Sequence, residues 1–486
     1  MNARDVSLFL NPARDFVARS PVTAGVGATV RELARLMVAA GAESVVILGD
    51  DGAPAGIVTD RDLRAKVVAG GLDPAATRAA DVMSAPLVTV DPQAYVFEAL
   101  LEMTRRGIHH LVIMAEGRLA GVVSSDDFLR LQSTHPVVLA REIGFAVSVD
   151  ELVGLGARVT ALVRRLVAEG GSAYDVGRIV AELNDRVTQR VLDLATRPGS
   201  PVGPAPLSYC WLAFGSEARQ EQSLRTDQDN GLVYESPSAV DAAQVSAYFE
   251  RLAHEVNGML VRIGFPECPG RIMASNPEWR QPVDVWARRF RQWMQESGPE
   301  EVLAASIFFD LRAAGGEAAL ASRLREVIQT EAPGSRRLLR LLARDVVERP
   351  VPLTVFGNLR PARAEPHRGT IDVKGGGVLQ LTGAARVHAL ARGFAETNSV
   401  DRIRLATARG AYEAEEGREI VDAYQILQRI RLAHQLERLD RGEPPDNRLD
   451  VKRLSHADAL LLRDALRTVT RVQEGLRVRY ATDLLE

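Results

Sequence analysis

Two cysteines, Cys210 and Cys268, are all that the 486 residues contain. Two isolated thiols provide neither a disulfide framework nor a zinc site, and they fit a reducing cytoplasm. An excess of one charge is also lacking: 60 Lys and Arg against 63 Asp and Glu leave a formal charge of −3. Nothing in that balance points to nucleic acid or an anionic membrane as a partner. No apolar run approaches the eighteen residues a spanning helix needs, and the first residues, MNARDVSLFLNPARDF, lack the long apolar core of a signal peptide. The expectation is a soluble cytoplasmic protein with no membrane contact. What is present is an ordinary globular composition, 46% hydrophobic and 25% charged, in a chain long enough for roughly three domains.

The first third repeats itself. Thr29–Gly41 (TVRELARLMVAAG) matches Tyr95–Gly107 (YVFEALLEMTRRG) at an offset of 66, and Val45-Val46-Ile47 matches Leu111-Val112-Ile113 at the same offset. Gly56-Ile57-Val58-Thr59-x-x-Asp62 matches Gly121-Val122-Val123-Ser124-x-x-Asp127 at 65. Each unit reads helix, strand, turn, strand, helix, and two such units bury sheet surface against each other. The unit resembles a CBS domain, and the tandem, about 16–66 and 82–132, resembles a Bateman module. That resemblance implies an adenine nucleotide (AMP, ADP or ATP) as regulatory ligand and a homodimer formed through the module. It also implies Thr59 with Asp62 and Ser124 with Asp127 as ligand residues. The same four residues fit plain helix capping, since a hydroxyl followed three residues on by an acid is nearly a capping signature. His109-His110 opens a buried strand, a packing position.

The densest chemistry lies in Leu207–Glu235, LSYCWLAFGSEARQEQSLRTDQDNGLVYE. It reads as an apolar strand (Cys210–Phe214), a Gly215-Ser216 turn, a polar helix or loop, and a second strand (Asn230–Tyr234) introduced by Asp227-Gln228-Asp229. On an extended backbone, residues i and i+2 share a face, so both carboxylates point to one spot. They repel unless a cation lies between them, and Mg²⁺ suits oxygen ligands. Gly215-Ser216 can offer backbone N–H groups to a phosphate. A phosphate cradle followed by Asp-x-Asp is the minimal kit for metal-assisted phosphoryl or nucleotidyl transfer.

Gly-Ser followed by Asp-x-Asp resembles the nucleotidyltransferase fold of the DNA polymerase beta superfamily. The longer string Gly215-Ser216-x-x-Arg219-x-Glu221-Gln222…Thr226-Asp227-Gln228-Asp229-Asn230 resembles nucleotidyltransferases related to the N-terminal region of protein-PII uridylyltransferase. The resemblance continues through Cys268–Pro277 and the Trp279, Trp286, Trp293 heptad, which reads as a buried helix face. It implies Mg²⁺, an NTP donor (UTP or ATP), and an acceptor hydroxyl, on a signalling protein by analogy. Such enzymes take a third carboxylate from a later strand. Asp310, ending the strand-like run Ala304–Asp310, is the candidate metal ligand or general base, with pairing to Arg312 or Arg219 as the alternative. Arg219 suits a triphosphate contact. Glu221 and Thr226 complete the candidate nucleotide set, Glu221 serving equally well as a partner for Arg219.

The expected architecture is α/β plus all-α: tandem CBS domains at 1–132, a helical connector at 133–206, a polymerase-beta-like nucleotidyltransferase core at 207–345, and a helical substrate-binding bundle at 346–486. The connector carries a one-sided apolar stripe, Val180, Leu183, Val187, Val191 and Leu194. A Gly-rich segment, Pro366–Leu381, has Asp372-x-Lys374 at its centre, and the residues near Arg429, Arg431 and His434 read either as the polar edge of an antiparallel helix bundle or as a basic face for a nucleotide or an acidic acceptor protein. The expected function is a CBS-regulated nucleotidyltransferase, catalytic through Asp227, Asp229 and Asp310. No ACT-like or metal-phosphohydrolase signature is visible, so glutamine sensing and reversal of the modification do not carry over. The alternative is a catalytically silent adenine-nucleotide sensor or signalling adaptor.

Overall fold

The computed structural model describes residues 12–16, 21–115, 118–124, 136–222, 224, 227–238, 241–295 and 298–484. It divides into two compact units, Met1–Arg141 and Glu142–Glu486. None of its described helices is long and apolar enough to cross a membrane.

The N-terminal unit realises the repeat. Its first half comprises β1 (Thr23–Gly25), α1 (Val30–Ala40), β2 (Ser44–Leu48) and β3 (Pro54–Thr59). The second comprises β4 (Thr89–Val90), α2 (Val96–Arg106), β5 (His110–Ala115) and β6 (Arg118–Ser124). Each half is a three-stranded sheet in sequential order, the first pair parallel and the second a hairpin. Equivalent registers, Ser44 opposite Thr59 and His110 opposite Ser124, carry the offset into three dimensions. Helix α1 starts where it does because Thr29 and Glu32 form a capping box. Its apolar stripe, Val30, Leu33 and Met37, packs on Val45, Ile47 and Val58 in one buried cluster.

Helix α3 (Pro136–Phe145) runs across the boundary at residue 141, and in the second unit α4 (Val149–Ala168) and α5 (Ala173–Thr196) lead into a four-stranded sheet. The sheet consists of β7 (Tyr209–Phe214), β8 (Asn230–Tyr234), β9 (Arg280–Pro282) and β10 (Leu311–Gly316), in the order β10-β7-β8-β9. β7 pairs antiparallel with both neighbours, and β9 lies parallel to β8. All five members of the α5 stripe are buried, and the helix packs on β10 and on α6 (Ala242–Ile263). Each such Val or Leu contributes on the order of 1.5–3 kcal/mol.

Helix α7 (Val283–Gln295) carries Trp286 and Trp293, whereas Trp279 lies ahead of β9 in a 3₁₀ turn (Pro277–Trp279), so the expected heptad is not one helix face. Trp286 is fully buried against Phe214, Phe290 and Phe308, and its indole donates to the Leu232 carbonyl at 3.2 Å. Ala304–Asp310 is not a strand. Helix α8 (Pro299–Ala305) and a 3₁₀ turn (Ser306–Phe309) occupy it, and β10 starts one residue after Asp310. Short apolar runs satisfy either period, and here helical packing against α7 and α10 decided the outcome.

After α9 (Ala318–Glu331), the C-terminal region is helical: α10 (Arg336–Glu348), α11 (Leu379–Leu390), α12 (Ser399–Ala408), α13 (Ala414–Asp440) and α14 (His456–Tyr480). A two-stranded ribbon, β11 (Thr370–Asp372) with β12 (Arg448–Asp450), is the exception. Lys374–Val378 forms one π-helical turn ahead of α11. Its glycines are required by packing: a Cβ on Gly376 would sit 2.7 Å from Pro352 Cδ, and one on Gly377 would sit 2.9 Å from Leu427 Cδ1. One continuous apolar core runs from Cys210, Leu212 and Phe214 of β7 to Leu381, Leu427, Leu466 and Val469 of the C-terminal helices.

Candidate active site of the transferase core

The site forms where β7 ends and β8 begins. Gly215 opens a single helical turn (Gly215–Ala218) with φ of +56°, a conformation that favours glycine. A Cβ there would meet Ile307 Cδ1 at 2.9 Å and Asp229 Oδ2 at 3.5 Å. The turn and the Asp229 carboxylate are therefore neighbours. Asp229 is held from behind, its carbonyl accepting from Phe214 N at 2.9 Å. The alternation expected of Asp227–Asn230 holds. Gln228 and Asn230 are buried and share a network with Asn257, whose amide donates to Gln228 Oε1 at 2.6 Å and Asn230 Oδ1 at 3.1 Å. Asp227 and Asp229 take the other face.

A third residue joins them. Ligand atoms of Asp227, Asp229 and Cys268 lie within 4.8 Å of one another, and no other such group of three occurs among the described residues. Burial pushes the Asp229 carboxyl up, with Asp227 adding repulsion and a hydrogen bond from Cys268 opposing it; the result is about 6. Burial also pushes the Cys268 thiol up, so it stays protonated and serves as the donor to Asp229. The donor set fits a hard divalent cation. Two crowded carboxylates supply the oxygens, and a cation would relieve the repulsion that raises Asp229. Sequence reasoning noted the Cys268 segment without a role for it; no local pattern ties a cysteine to an aspartate 39 positions earlier in the chain.

The structure does not bring Asp310 into this group. Its side chain is fully buried in a cage of three guanidinium groups: Arg219 Nη1 at 2.7 Å, Arg386 Nη2 at 2.6 Å and Arg402 Nη1 at 2.5 Å. Burial alone would raise this carboxyl, but Arg386, Arg402 and Arg219 together hold it far below the usual carboxylate range. Both oxygens are engaged, so the expected role of Asp310 as metal ligand or base is corrected to that of an ion-pair hub. Arg312 is not its partner; it pairs with Asp185 of α5, Nη2 to Oδ1 at 2.9 Å.

Arg219 is corrected with it, and Glu221 takes the alternative expected of it, the partner of Arg219. The Arg219 guanidinium is spent on Asp310 and on Glu221, Nε to Oε2 at 2.7 Å, so it is not free for a triphosphate. Glu221 Oε1 also accepts from Ser399 N at 2.6 Å, while Asn398 and Thr397 donate to the carbonyls of Arg219 and Ala218. These two motif residues tie the Gly-Ser turn to the start of α12. The Gly215 N–H is likewise occupied, donating to the Asp310 carbonyl at 3.2 Å, whereas Ser216 sits half-buried in the same turn. Thr226 lies outside the described residues.

One cation of the C-terminal region acts on the carboxylates through space. Lys374 is half-buried and within electrostatic reach of Asp227, Asp229, Arg219 and Arg431. The expected basic face is largely neutralised. Arg429 pairs with Asp458 and His434 with Asp446, while Arg431 is buried on Asn447 and Gln428.

In the N-terminal unit, Thr59 and Asp62 line a cavity of about 640 Å³ together with Arg61, Lys66, Ser84, His109 and His110. Thr59 N donates to Asp62 Oδ2 at 2.9 Å and Asp62 N donates to Thr59 Oγ1 at 3.3 Å, which is the capping box, and Thr59 Oγ1 also donates to Asp62 Oδ2 at 2.7 Å. Asp62 also receives Lys66 Nζ at 2.8 Å and Ser84 Oγ at 3.1 Å. The capping role and the place in the cavity coexist. Ser124 ends β6, and Asp127 lies outside the described residues.

Paired carboxylates beside a glycine turn on a mixed four-stranded sheet, joined to a helical region and accompanied by a doubled sheet-and-helix unit, define a nucleotidyltransferase-type core with a tandem repeat module. Comparison with protein families agrees. The CBS domain model matches residues 13–69 and 79–134. The model described as "Putative nucleotidyltransferase DUF294" matches 157–300, and the one described as "Putative nucleotidyltransferase substrate binding domain" matches 336–480. The chain belongs to the CBS-domain proteins that carry this nucleotidyltransferase region with its C-terminal substrate-binding domain. The second model begins within α4, so α5 falls inside the matched region.

Among curated proteins, the chain is 38% identical over 130 residues to Uncharacterized protein MK0525 of Methanopyrus kandleri, covering 26% of this chain and 64% of that one. It is 30% identical over 129 residues to Hypoxic response protein 1 of Mycobacterium tuberculosis, covering 26% and 90%. Inosine-5'-monophosphate dehydrogenase of Mycobacterium bovis matches at 30% over 216 residues, and only 40% of that enzyme is spanned. Among solved structures, the CBS domain protein PAE2072 from Pyrobaculum aerophilum, complexed with AMP, shares 28% identity over 25% of this chain and 97% of its own, with a TM-score of 0.23.

Proposed function

We propose that the protein is a CBS-regulated nucleotidyltransferase that moves a nucleoside monophosphate from an NTP to an acceptor hydroxyl, in the manner of protein-PII uridylyltransferase. The observation that carries this reading is the placement of Asp227 and Asp229 side by side against the Gly215 turn, with Gln228, Asn230 and Asn257 fixing the backbone behind them. Asp227 and Asp229 would hold Mg²⁺, which supplies charge neutralisation at the α-phosphate. Cys268 orients Asp229 through its hydrogen bond. The acceptor hydroxyl releases its proton to solvent and its oxygen bonds the α-phosphorus as the bond from the α-phosphorus to the oxygen bridging to the β-phosphate breaks, giving a phosphodiester and pyrophosphate. The donor is UTP or ATP, and the acceptor is a hydroxyl on a signalling protein. The cavity at Thr59 and Asp62 takes an adenine nucleotide that sets activity, and the CBS pair forms a homodimer.

The sequestered Asp310 favours a second reading, a core that binds nucleotide without turnover. Incubating the protein with Mg²⁺, cell extract and each α-labelled NTP, beside Asp227→Asn/Asp229→Asn, separates the two. Label transferred by wild type alone supports the transferase. Absence of transfer with every nucleotide, with and without AMP, refutes it in favour of the sensor.

A further inference from the structure

Among the described residues, two arginines in reach of the carboxylate pair are already engaged. Arg219, the motif arginine, is neutralised by Asp310 and Glu221. Arg431 is buried and satisfied by two neutral oxygens, Asn447 Oδ1 at 2.6 Å and Gln428 Oε1 at 3.1 Å. Lys374 differs from both. Among the described residues its ammonium has no hydrogen bond and no ion pair, although it is half-buried and lies in the field of Asp227 and Asp229. Burial and the repulsion of Arg431 hold the ammonium below its ordinary pKa, with the two aspartates opposing. Leaving a half-buried charge without a partner destabilises a fold.

The backbone around Lys374 is fixed on every side. Val373 N donates to Asn447 O at 3.0 Å, Gly375 N to Asp372 Oδ1 at 2.8 Å, and Gln380 Nε2 to Gly375 O at 3.0 Å. The β11–β12 pairing ends two residues earlier, Asp372 opposite Arg448, and the next glycines are wedged against Pro352 and Leu427. A rigid, close-packed turn thus carries one flexible cation, unpartnered among the described residues, within electrostatic reach of the carboxylate pair. A lysine ammonium is a point charge on a mobile stem, suited to terminal phosphate oxygens.

We propose that Lys374, contributed by the C-terminal region, binds the β- and γ-phosphates of the donor NTP and stabilises the departing pyrophosphate. This rests on the nucleotidyltransferase reading above and adds to it a residue outside the Asp-x-Asp motif. The transferase site is then assembled from two regions of the chain, with the metal held by the sheet and the phosphate tail by the helical region.

The test is calorimetric titration of the full chain with the α,β-methylene analogues of ATP, GTP, CTP and UTP and the four matching monophosphates, in Mg²⁺. Binding that Asp227→Asn abolishes is assigned to the core, which separates it from any nucleotide held by the CBS pair. Lys374→Met is expected to weaken that component for the triphosphate on the order of 10- to 100-fold, the worth of one charge-assisted hydrogen bond. Its monophosphate affinity stays within about twofold of wild type, and Lys374→Arg recovers most of the triphosphate affinity. Thermal melting of the ligand-free proteins is the second readout, and Lys374→Met should melt at or above wild type because it loses an uncompensated charge. Equal triphosphate affinity in wild type and Lys374→Met, with Asp227-dependent binding intact, overturns the role of Lys374 and leaves the transferase reading standing. Absence of Asp227-dependent binding in wild type overturns both.

Discussion

Replacing Asp310 by Asn separates a structural hub from a catalytic carboxylate. The Asp310 oxygens receive Arg219, Arg386 and Arg402 at 2.5 to 2.7 Å, and none of the three guanidinium groups is more than 13% exposed. At an effective dielectric near 20, each contact at ~4 Å is worth about 4 kcal/mol, against which the desolvation of each ion costs several. The net worth of the cage is small compared with the cost of breaking it. Asparagine keeps the shape but strips Arg386 and Arg402 of the acid they pair with and leaves Arg219 with Glu221 alone, a change expected to destabilise by about 3–5 kcal/mol. For a unit of this size that lowers Tm by roughly 5 °C. Urea and thermal unfolding of the full chain measure it. The double variant Asp310→Asn/Arg402→Met should recover part of the loss, because it removes one stranded charge. The depressed folded-state pKa means that the contribution of Asp310 is fully present above its unfolded value near 4 and is lost only in stronger acid. The deficit should therefore be flat from about pH 5 to 8. Unchanged melting in Asp310→Asn together with loss of Mg²⁺ binding would refute the reasoning and restore Asp310 as a metal ligand.

Two further outcomes follow from the packing. His388 is buried, and burial, then Arg392 and Arg479, push its imidazole down to about 3, so it stays neutral in the folded protein. The unfolded chain protonates first, so stability is full above about pH 6.5 and falls toward pH 3 by at most ~1.4 kcal/mol per unit; His388→Gln should flatten that slope in urea titrations. Gly377→Ala would place a methyl 2.9 Å from Leu427 Cδ1 and 3.2 Å from Leu466 Cδ2. A loss of about 1–3 kcal/mol is expected in the same assay, and a neutral result would show that α13 and α14 yield easily.

How much of this was legible in the sequence depends on how far apart the interacting residues lie. The CBS repeat was readable because its signal is local twice over, in helix periodicity and in a fixed offset. The strands around Asp-x-Asp were readable because apolar runs flank turn residues on both sides. The fate of Asp310 was not, since two of its partners, Arg386 and Arg402, are 76 and 92 residues away. Charge alone names no partner among the 60 basic residues. Arg219 stood inside a recognisable motif and was assigned to phosphate for that reason; its pairing with Glu221, and with Asp310, was among the alternatives read from the sequence and is what forms, while the contacts to α12 were not legible. Lys374 was visible only as the centre of a glycine-rich segment. The close packing that requires those glycines depends on Pro352, Leu427 and Leu466, and no sequence window holds all three.

The Asp310 cage also bears on how such a protein can be cut and recombined. Arg386 and Arg402 belong to the helices after residue 346, and Asp310 and Arg219 to the sheet before it. A fragment ending near residue 345 would keep the carboxylate and one arginine while losing the other two, and would expose the apolar surface that Leu381 and Leu427 cover. The sheet and the C-terminal helices are therefore a single heritable piece, although two separate family models describe them. Exchange between relatives should preserve that piece whole.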